Sequence, residues 1–418
     1  MRRDVPASLA MSVKHISPMG SRLPVFLHML LLVALTACSA DGPRNADVAA
    51  GSSAPATPVP PLTRRLAARS FPSVFQAWNP AEHLDEPPLV TLARHDLCFT
   101  SPEMAGLAWN QSTPGTATAF TPESIIHARA WREQLRRLNP DQILLAEIRY
   151  RDAPDGWLPA DHPWWKRSGG TRAAGWAEGG FYLLDFADPA MRDHVAAQCK
   201  AALADGVFDG VMLDWWQDDD ARQALVTAIR AAIGPDALII VNANDRRIPR
   251  SAPLVNGLYM ECWNSRDPAN WTAITDTLTW AESTLRTPHI TCLETWYVES
   301  RQDLARMRAT TTLSLTRSDG FCLFGDPNEL PTPDHLHDWY PFWNRSLGQA
   351  TAPGFRRPDG AWQRAFSQGD ALYNPPGNPP VTVTFAEDRR SVANGNIGKT
   401  FTVPSFDGDL FVRVPDRH

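Results

Sequence analysis

Three acids close apolar, strand-length runs in this chain: Asp214 after Val207–Leu213, Glu261 in Leu258-Tyr-Met-Glu-Cys-Trp263, and Glu294 in Thr291-Cys-Leu-Glu-Thr-Trp296. A carboxylate placed against so much apolar surface is costly to keep unless it is used. Carboxylates in unlike surroundings can divide acid and base work, one held protonated and the other ionised. Glu147, Asp185 and Asp326 close or follow other apolar runs, and Asn242 and Asn244 close another. Tryptophan keeps the same company. Trp215 and Trp216 follow Asp214, Trp263 follows Glu261, and Trp296 follows Glu294. A sugar ring stacks its C–H face on an aromatic plane while its hydroxyls exchange hydrogen bonds with Asp, Glu, Asn and Arg. Acid and Trp together at several strand ends is therefore the pattern of a saccharide cleft. Some of the 16 Trp are core residues by the same logic; Trp131 and Trp280 lie within helical segments.

Acids at strand ends need an architecture that gathers those ends. Eight runs read as strands: Leu89–Ala93, Ile143–Ile148, Phe181–Phe186, Phe208–Asp214, Leu238–Asn242, Gly257–Glu261, His289–Glu294 and Gly320–Phe324. They are near-continuously apolar, as strands covered on both faces must be. Helix starts fall between them: Thr121-Pro122, Asp188-Pro189 and Asp267-Pro268 each set a capping side chain before Pro, Ser300 with Asp303 resembles a capping box, and Gly234 ends a helix begun near Asp218. Strand–helix alternation predicts a (β/α)8 TIM barrel over residues 71–352. A doubly wound open sheet is the alternative, because residues 150–180 form a Trp- and Gly-rich loop where a helix is due. Beyond residue 353 the pattern turns to period two, which predicts a small C-terminal antiparallel β module to residue 418. Barrel chemistry sits at the carboxyl ends of strands. In chain order those ends read Arg94-His95-Asp96, Glu147 with Arg149, Asp185, Asp214, Asn242 with Asn244, Glu261, Glu294 and Asp326.

The N-terminus has a different use. Pro24–Ala37 is an apolar run of signal-peptide length behind Arg2, Arg3, Lys14 and Arg22, and Met19 is a second plausible start. It ends in Leu35-Thr36-Ala37-Cys38, which resembles the lipobox of bacterial lipoproteins. The resemblance implies a signal peptide over residues 1–38, acylation of Cys38 and anchoring in a lipid bilayer of a bacterial cell envelope; if the cell is Gram-negative, Ser39 after the Cys favours the outer membrane. Residues 39–70, rich in Ala, Pro, Ser and Gly, read as a flexible tether. The other cysteines, Cys98, Cys199, Cys262, Cys292 and Cys322, match no zinc spacing, and the last two sit in apolar runs as small buried hydrophobes. A net charge of −6 argues against a nucleic-acid partner. No Walker loop, HExxH or GxSxG occurs, and no cofactor is expected.

Phe208-Asp-Gly-Val-Met-Leu-Asp214 resembles the fourth strand of glycoside hydrolase barrels, and Leu184–Arg192 the segment before it. Trp362–Gly369 with Leu372-Tyr-Asn-Pro375 resembles their entry into a C-terminal β module. The nearest group is the glycosyl-hydrolase-like barrels related to endo-α-1,4-polygalactosaminidases and, more remotely, the α-amylase-type barrels. In the former a sixth-strand Glu accompanies the fourth-strand Asp, and Glu261 matches it; the α-amylase pattern would want a fifth-strand Glu, where this chain has Asn242. The resemblance implies a poly- or oligosaccharide substrate and two-carboxylate hydrolysis. Asp214 would be nucleophile or base and Glu261 the acid, with Glu294 the other candidate for that role. Glu294, Asp185, Asp326 and Asn242 would bind hydroxyls, and Trp215, Trp216, Trp263 and Trp296 would form sugar platforms. A noncatalytic glycan-binding lipoprotein would keep the tryptophans and tolerate loss of Asp214. A metal hydrolase would use Asp214, Glu261 and Glu294 as ligands, without a nearby His.

Overall fold

The computed structural model describes residues 60–327 and 335–414. The signal-like run, Cys38 and most of the tether lie outside the described residues.

Eight parallel strands make the barrel: β1 (Phe75–Ala77), β2 (Leu97–Thr100), β3 (Ile143–Glu147), β4 (Gly210–Leu213), β5 (Leu238–Asn242), β6 (Gly257–Cys262), β7 (Cys292–Trp296) and β8 (Phe321–Gly325). Neighbours in sequence are neighbours in space, and a parallel bridge between Val74 and Cys322 closes β8 onto β1. A doubly wound sheet is thereby excluded. Every described residue of β3, β4, β5 and β8 is buried, as helices over an apolar sheet require. Gly210 opens β4 because a side chain there would overlap the Leu238 carbonyl of β5.

Two expected strands are not barrel strands. Leu89–Ala93 lies in the short helix α2 (Pro88–Ala93), which Pro88 opens at its first turn. Five apolar residues cannot by themselves distinguish a strand from a buried helical turn. Phe181–Phe186 supplies only a two-residue ladder, Tyr182–Leu183, paired antiparallel with Asp152–Ala153 inside the long excursion between β3 and the next helix. The strands overlooked are β1 and β2. Arg94-His95-Asp96 consequently precedes β2, at the end of the barrel opposite the carboxyl ends.

The helices that carry the strands back are α3 (Pro122–Leu138), α4 (Pro189–Ala204), α5 (Asp220–Ile233), α6 (Trp271–Thr284) and α7 (Leu304–Arg317). Thr121 and Asp188 cap α3 and α4 through Ser124 and Ala190 N–H groups, with Pro following as expected. Gly234 ends α5 at φ 80°. Asp267-Pro268 instead opens a single 3-10 turn ahead of α6, and Asp303 alone caps α7. A first helix, α1 (Leu62–Ala68), falls within the stretch read as tether: Arg65 is buried, hydrogen-bonded to the Gln142 carbonyl and ion-paired with Asp209, so ordered chain begins before residue 70.

The C-terminal module is a six-stranded antiparallel sheet of β9 (Phe355–Arg356), β10 (Trp362–Phe366), β11 (Gly369–Asn374), β12 (Val381–Ser391), β13 (Ile397–Val403) and β14 (Asp407–Arg413), ordered β9-β10-β11-β14-β12-β13. It packs on α7. Arg308 pairs with Asp407 at 2.7 Å, and Thr310, Thr311, Thr312 and Thr316 of α7 are buried between sheet and barrel.

Candidate active site

β4, β5 and β6 end side by side, and Asp214 just past β4, Asn242 at the end of β5 and Glu261 next to the end of β6 meet. The Asn242 side-chain nitrogen donates to Asp214 Oδ1 at 2.8 Å and to Glu261 Oε2 at 2.7 Å. Asn244 N–H donates to Asn242 Oδ1 at 3.2 Å, which fixes the amide so that its NH2 faces the acids. One nitrogen bridging two oxygens keeps them no more than about 5.5 Å apart, the combined length of the two bonds. Both acids line a cavity of about 450 Å³ with Trp78, Asn79, Met104, Glu147, Arg149, Asp152, Trp176, Phe181, Trp215, Trp296 and His335. None of these comes from the C-terminal sheet.

The two acids are tuned apart from ordinary carboxylates. Burial, and then the charge of Glu147, push Asp214 up to about 6, against hydrogen bonds from Asn242 and the Trp215 backbone N–H. Burial pushes Glu261 up to about 7, with help from the charges of Asp214 and Glu294 and against His335 and Asn242. Trp263, expected as a sugar platform, is 60% exposed and outside the cavity lining. Glu294 is different again. It is fully buried beneath the cavity, where the Tyr259 hydroxyl donates to Oε2 and His335 Nδ1 lies 3.0 Å from the same oxygen. Burial raises it, but His335 and Tyr259 outweigh burial and hold it below the ordinary carboxylate range. An acid held ionised is a poor proton donor, so Glu294 is the weaker of the two candidate acids.

Of the remaining expected contacts, Trp215 and Trp296 line the cavity and Asn242 bridges the acids beside it. Trp216 does not; it is fully buried, its indole N–H directed to Ser251 Oγ at 3.2 Å, so it is a core residue with no face for a sugar. Asp185 and Asp326 do not line the cavity. Asp185 accepts the Asp188 N–H through its carbonyl in the turn into α4, and Asp326 Oδ1 accepts the Ser300 N–H at 2.5 Å. Both order turns.

Several cavity residues were not selected from sequence. Glu147 and Arg149 stood at a recognised strand end but had no Trp beside them. Glu147 accepts the Trp78 indole N–H at 2.8 Å, and Arg149 lies 3.7 Å from Glu147 and stacks over Phe181. Trp78 follows the three-residue β1, and His335 lies beyond β8; neither carries a sequence signal. Asp152, Trp176 and Phe181 come from the excursion, which Asp152 braces by accepting the Trp176 N–H at 2.9 Å.

Backbone strain collects at the same place. Trp78, Trp215, Asn244 and His335 all adopt left-handed φ, between 50° and 60°, which is unusual for bulky residues and tends to mark functional sites. Trp215 is held there from three sides: Tyr150 Oη and Arg222 donate to its carbonyl at 3.1 and 3.0 Å, and Arg151 stacks over its ring at 4.4 Å. Among the described residues, no cluster of three His, Cys, Asp or Glu side chains is arranged to hold a metal ion.

No protein-family model matches the sequence, and no curated protein matches it. Among solved structures, the chain is similar to a noncanonic maltogenic alpha-amylase from Thermotoga neapolitana, with TM-score 0.53 and 11% identity over 82% of this chain and 99% of that one. It is also similar to an alpha-amylase from Lactobacillus plantarum, with TM-score 0.50 and 12% identity over 84% and 100% of the two chains. At such identities the likeness is one of fold: the (β/α)8 barrel with a C-terminal β module.

Proposed function

We propose that this protein is a retaining glycoside hydrolase acting on a poly- or oligosaccharide. The observation that carries the reading is the Asp214–Asn242–Glu261 bridge. Retaining enzymes set their two carboxyl groups about 5–5.5 Å apart, whereas inverting enzymes leave about 6.5–9.5 Å for a water. The bridge favours the shorter spacing. The raised Glu261 fits the acid and the more acidic Asp214 fits the nucleophile, and the cavity's tryptophans suit sugar faces. The fold neighbours, both named as amylases, support the same class.

In the first step an Asp214 oxygen attacks the anomeric carbon as the bond to the leaving oxygen breaks, and Glu261 gives that oxygen its proton. In the second step Glu261, now ionised, takes a proton from water as the water oxygen attacks the same carbon. Asp214 leaves as carboxylate, and the anomeric configuration is restored. Asn242 holds both carboxylates at working separation, and the strained Trp215 aims a backbone N–H at Asp214. The relation to polygalactosaminidase-like barrels and the tether through acylated Cys38 in the cell envelope belong to the same proposal; mass spectrometry of the mature N-terminus tests the latter.

The decisive experiment incubates the purified protein with a polysaccharide panel and follows reducing ends beside Asp214→Asn and Glu261→Gln. Release by wild type alone, with the product's first anomer matching the substrate, is the expected result. Glycan binding without cleavage by all three proteins would replace the enzyme with a binding protein, and an inverted product would remove the nucleophile from Asp214.

A further inference from the structure

A second sizeable cleft lies away from the one above. It measures about 570 Å³ and lies at the opposite end of the barrel, where Arg69 and Phe71 lead into β1, Thr287 and His289 lead into β7, and Asp319 leads into β8. α1 and the start of the C-terminal module complete its walls.

Arg69 makes this cleft unusual. Its side chain is only 7% exposed, yet among the described residues no carboxylate approaches its guanidinium within ion-pairing distance. One guanidinium nitrogen donates to the Leu66 carbonyl at 2.9 Å, and Nε is buried with no hydrogen-bond partner among the described residues. The group stacks over Phe71 and Phe321, with its carbon 5.1 and 4.7 Å from the ring centroids. A buried charge without a counterion is among the costliest arrangements in a folded protein. The neighbouring acids are committed elsewhere. Asp319 pairs with Arg364, Glu282 faces His289 at 3.4 Å, and burial pushes Asp96 up to about 7, which weakens it as a counter-charge. His289 is itself favoured in its charged form, chiefly by the hydrogen bond to Glu282.

We infer that this cleft binds a small molecule bearing a carboxylate or phosphate, with the Arg69 guanidinium as its counter-charge and the Thr63 and Thr287 hydroxyls beside it. The fork of donors on an arginine suits either oxyanion, and the cleft has the volume of an ordinary small-molecule site. The site is independent of the catalytic reading, since it shares no residue with the cavity around Asp214 and Glu261.

Thermal unfolding of the full-length protein tests it, in inorganic phosphate, in citrate and in sodium chloride at matched ionic strength. The expected result is a saturable rise of roughly 2–4 °C with phosphate or citrate, absent with chloride and absent in Arg69→Met. A rise with phosphate alone assigns a phosphate ligand, and a rise with citrate alone a carboxylate. An equal rise with chloride, no rise at all, or an undiminished rise in Arg69→Met overturns the inference. If Arg69→Met does not fold, calorimetric titration of Arg69→Lys with the stabilising anion decides: affinity should fall at least about tenfold, and an unchanged affinity overturns it.

Discussion

The amide nitrogen of Asn242 donates to Asp214 and Glu261 together, and each bond favours the ionised form of its acid while burial opposes it. With Asp214 near 6 and Glu261 near 7, the productive pair (one ionised, one protonated) exists mainly between those values. Turnover should therefore rise through about pH 6, fall through about pH 7, and show both limbs in a kcat/KM profile. Removing the bridge in Asn242→Ala should shift both limbs upward and lower kcat on the order of 100-fold by loosening the acids' spacing. The same shifts act on stability. A carboxyl raised in the fold contributes stability below its unfolded value, and that contribution is lost as pH rises through the folded value. Glu261→Gln should thus be more stable than wild type at pH 8, by about 1–3 kcal/mol and with a higher melting temperature, and show no advantage at pH 4. Equal melting temperatures at pH 8 would contradict the raised Glu261. These pairings were partly legible: acids at the ends of apolar runs pointed to Asp214 and Glu261. The bridge was not, because Asn242 read as one more hydroxyl binder until the β4–β5 register brought it beside Asp214 and the β5–β6 register paired it with Tyr259, two residues before Glu261 on the same face.

At the scale of elements, the strands read correctly are β3 to β8, long enough for continuous apolar runs. β1 has three residues and no room for a pattern, and its place was taken by a helix of similar apolar content. Two misreadings thus left the strand count intact, and Asp214 still closed the fourth strand. The excursion after β3 carries cavity residues on backbone with little regular structure, which hydrophobic periodicity cannot register. α7 presents the opposite case. Four of its threonines are buried, and Thr311, Thr312 and Thr316 satisfy their hydroxyls by donating to carbonyls one turn back, at 2.9, 2.7 and 2.7 Å. Thr311 also accepts the Trp343 indole N–H at 2.9 Å. Thr311→Val keeps the volume but orphans that buried N–H, and should cost about 1–3 kcal/mol by chemical denaturation with the active-site profile unchanged. A loss well below that would show that Trp343 finds another acceptor.

In the whole molecule the C-terminal sheet serves as a brace for α7. Arg308 and Asp407 tie it down, Phe406 meets Trp271 of α6 edge-on at 4.7 Å, and Gly408 sits so close to Thr312 that a side chain there would collide. Truncation before residue 353 would expose Thr312 and Thr316 of α7 to water and strand the Arg308 charge. The shortened chain should fail to give a cooperative melt, and calorimetry of the intact protein should show barrel and sheet unfolding in one transition. Two transitions would make the sheet an independent domain.

The left-handed tryptophan that follows Asp214 has a consequence for how this protein can change. A bulky residue at positive φ costs on the order of 1 kcal/mol that glycine would not, and Trp215 is 48% exposed, so little packing offsets that cost, whereas Trp78 is packed on the core and bonded to Glu147. Laboratory evolution that rewards heat resistance alone should drift toward glycine at Trp215 while Trp78 stays, and arrive at hardier proteins with an opened cavity. Selection that demands turnover should hold both tryptophans. The spread of sequences recovered from the two regimes would then trace the active site without any knowledge of the substrate.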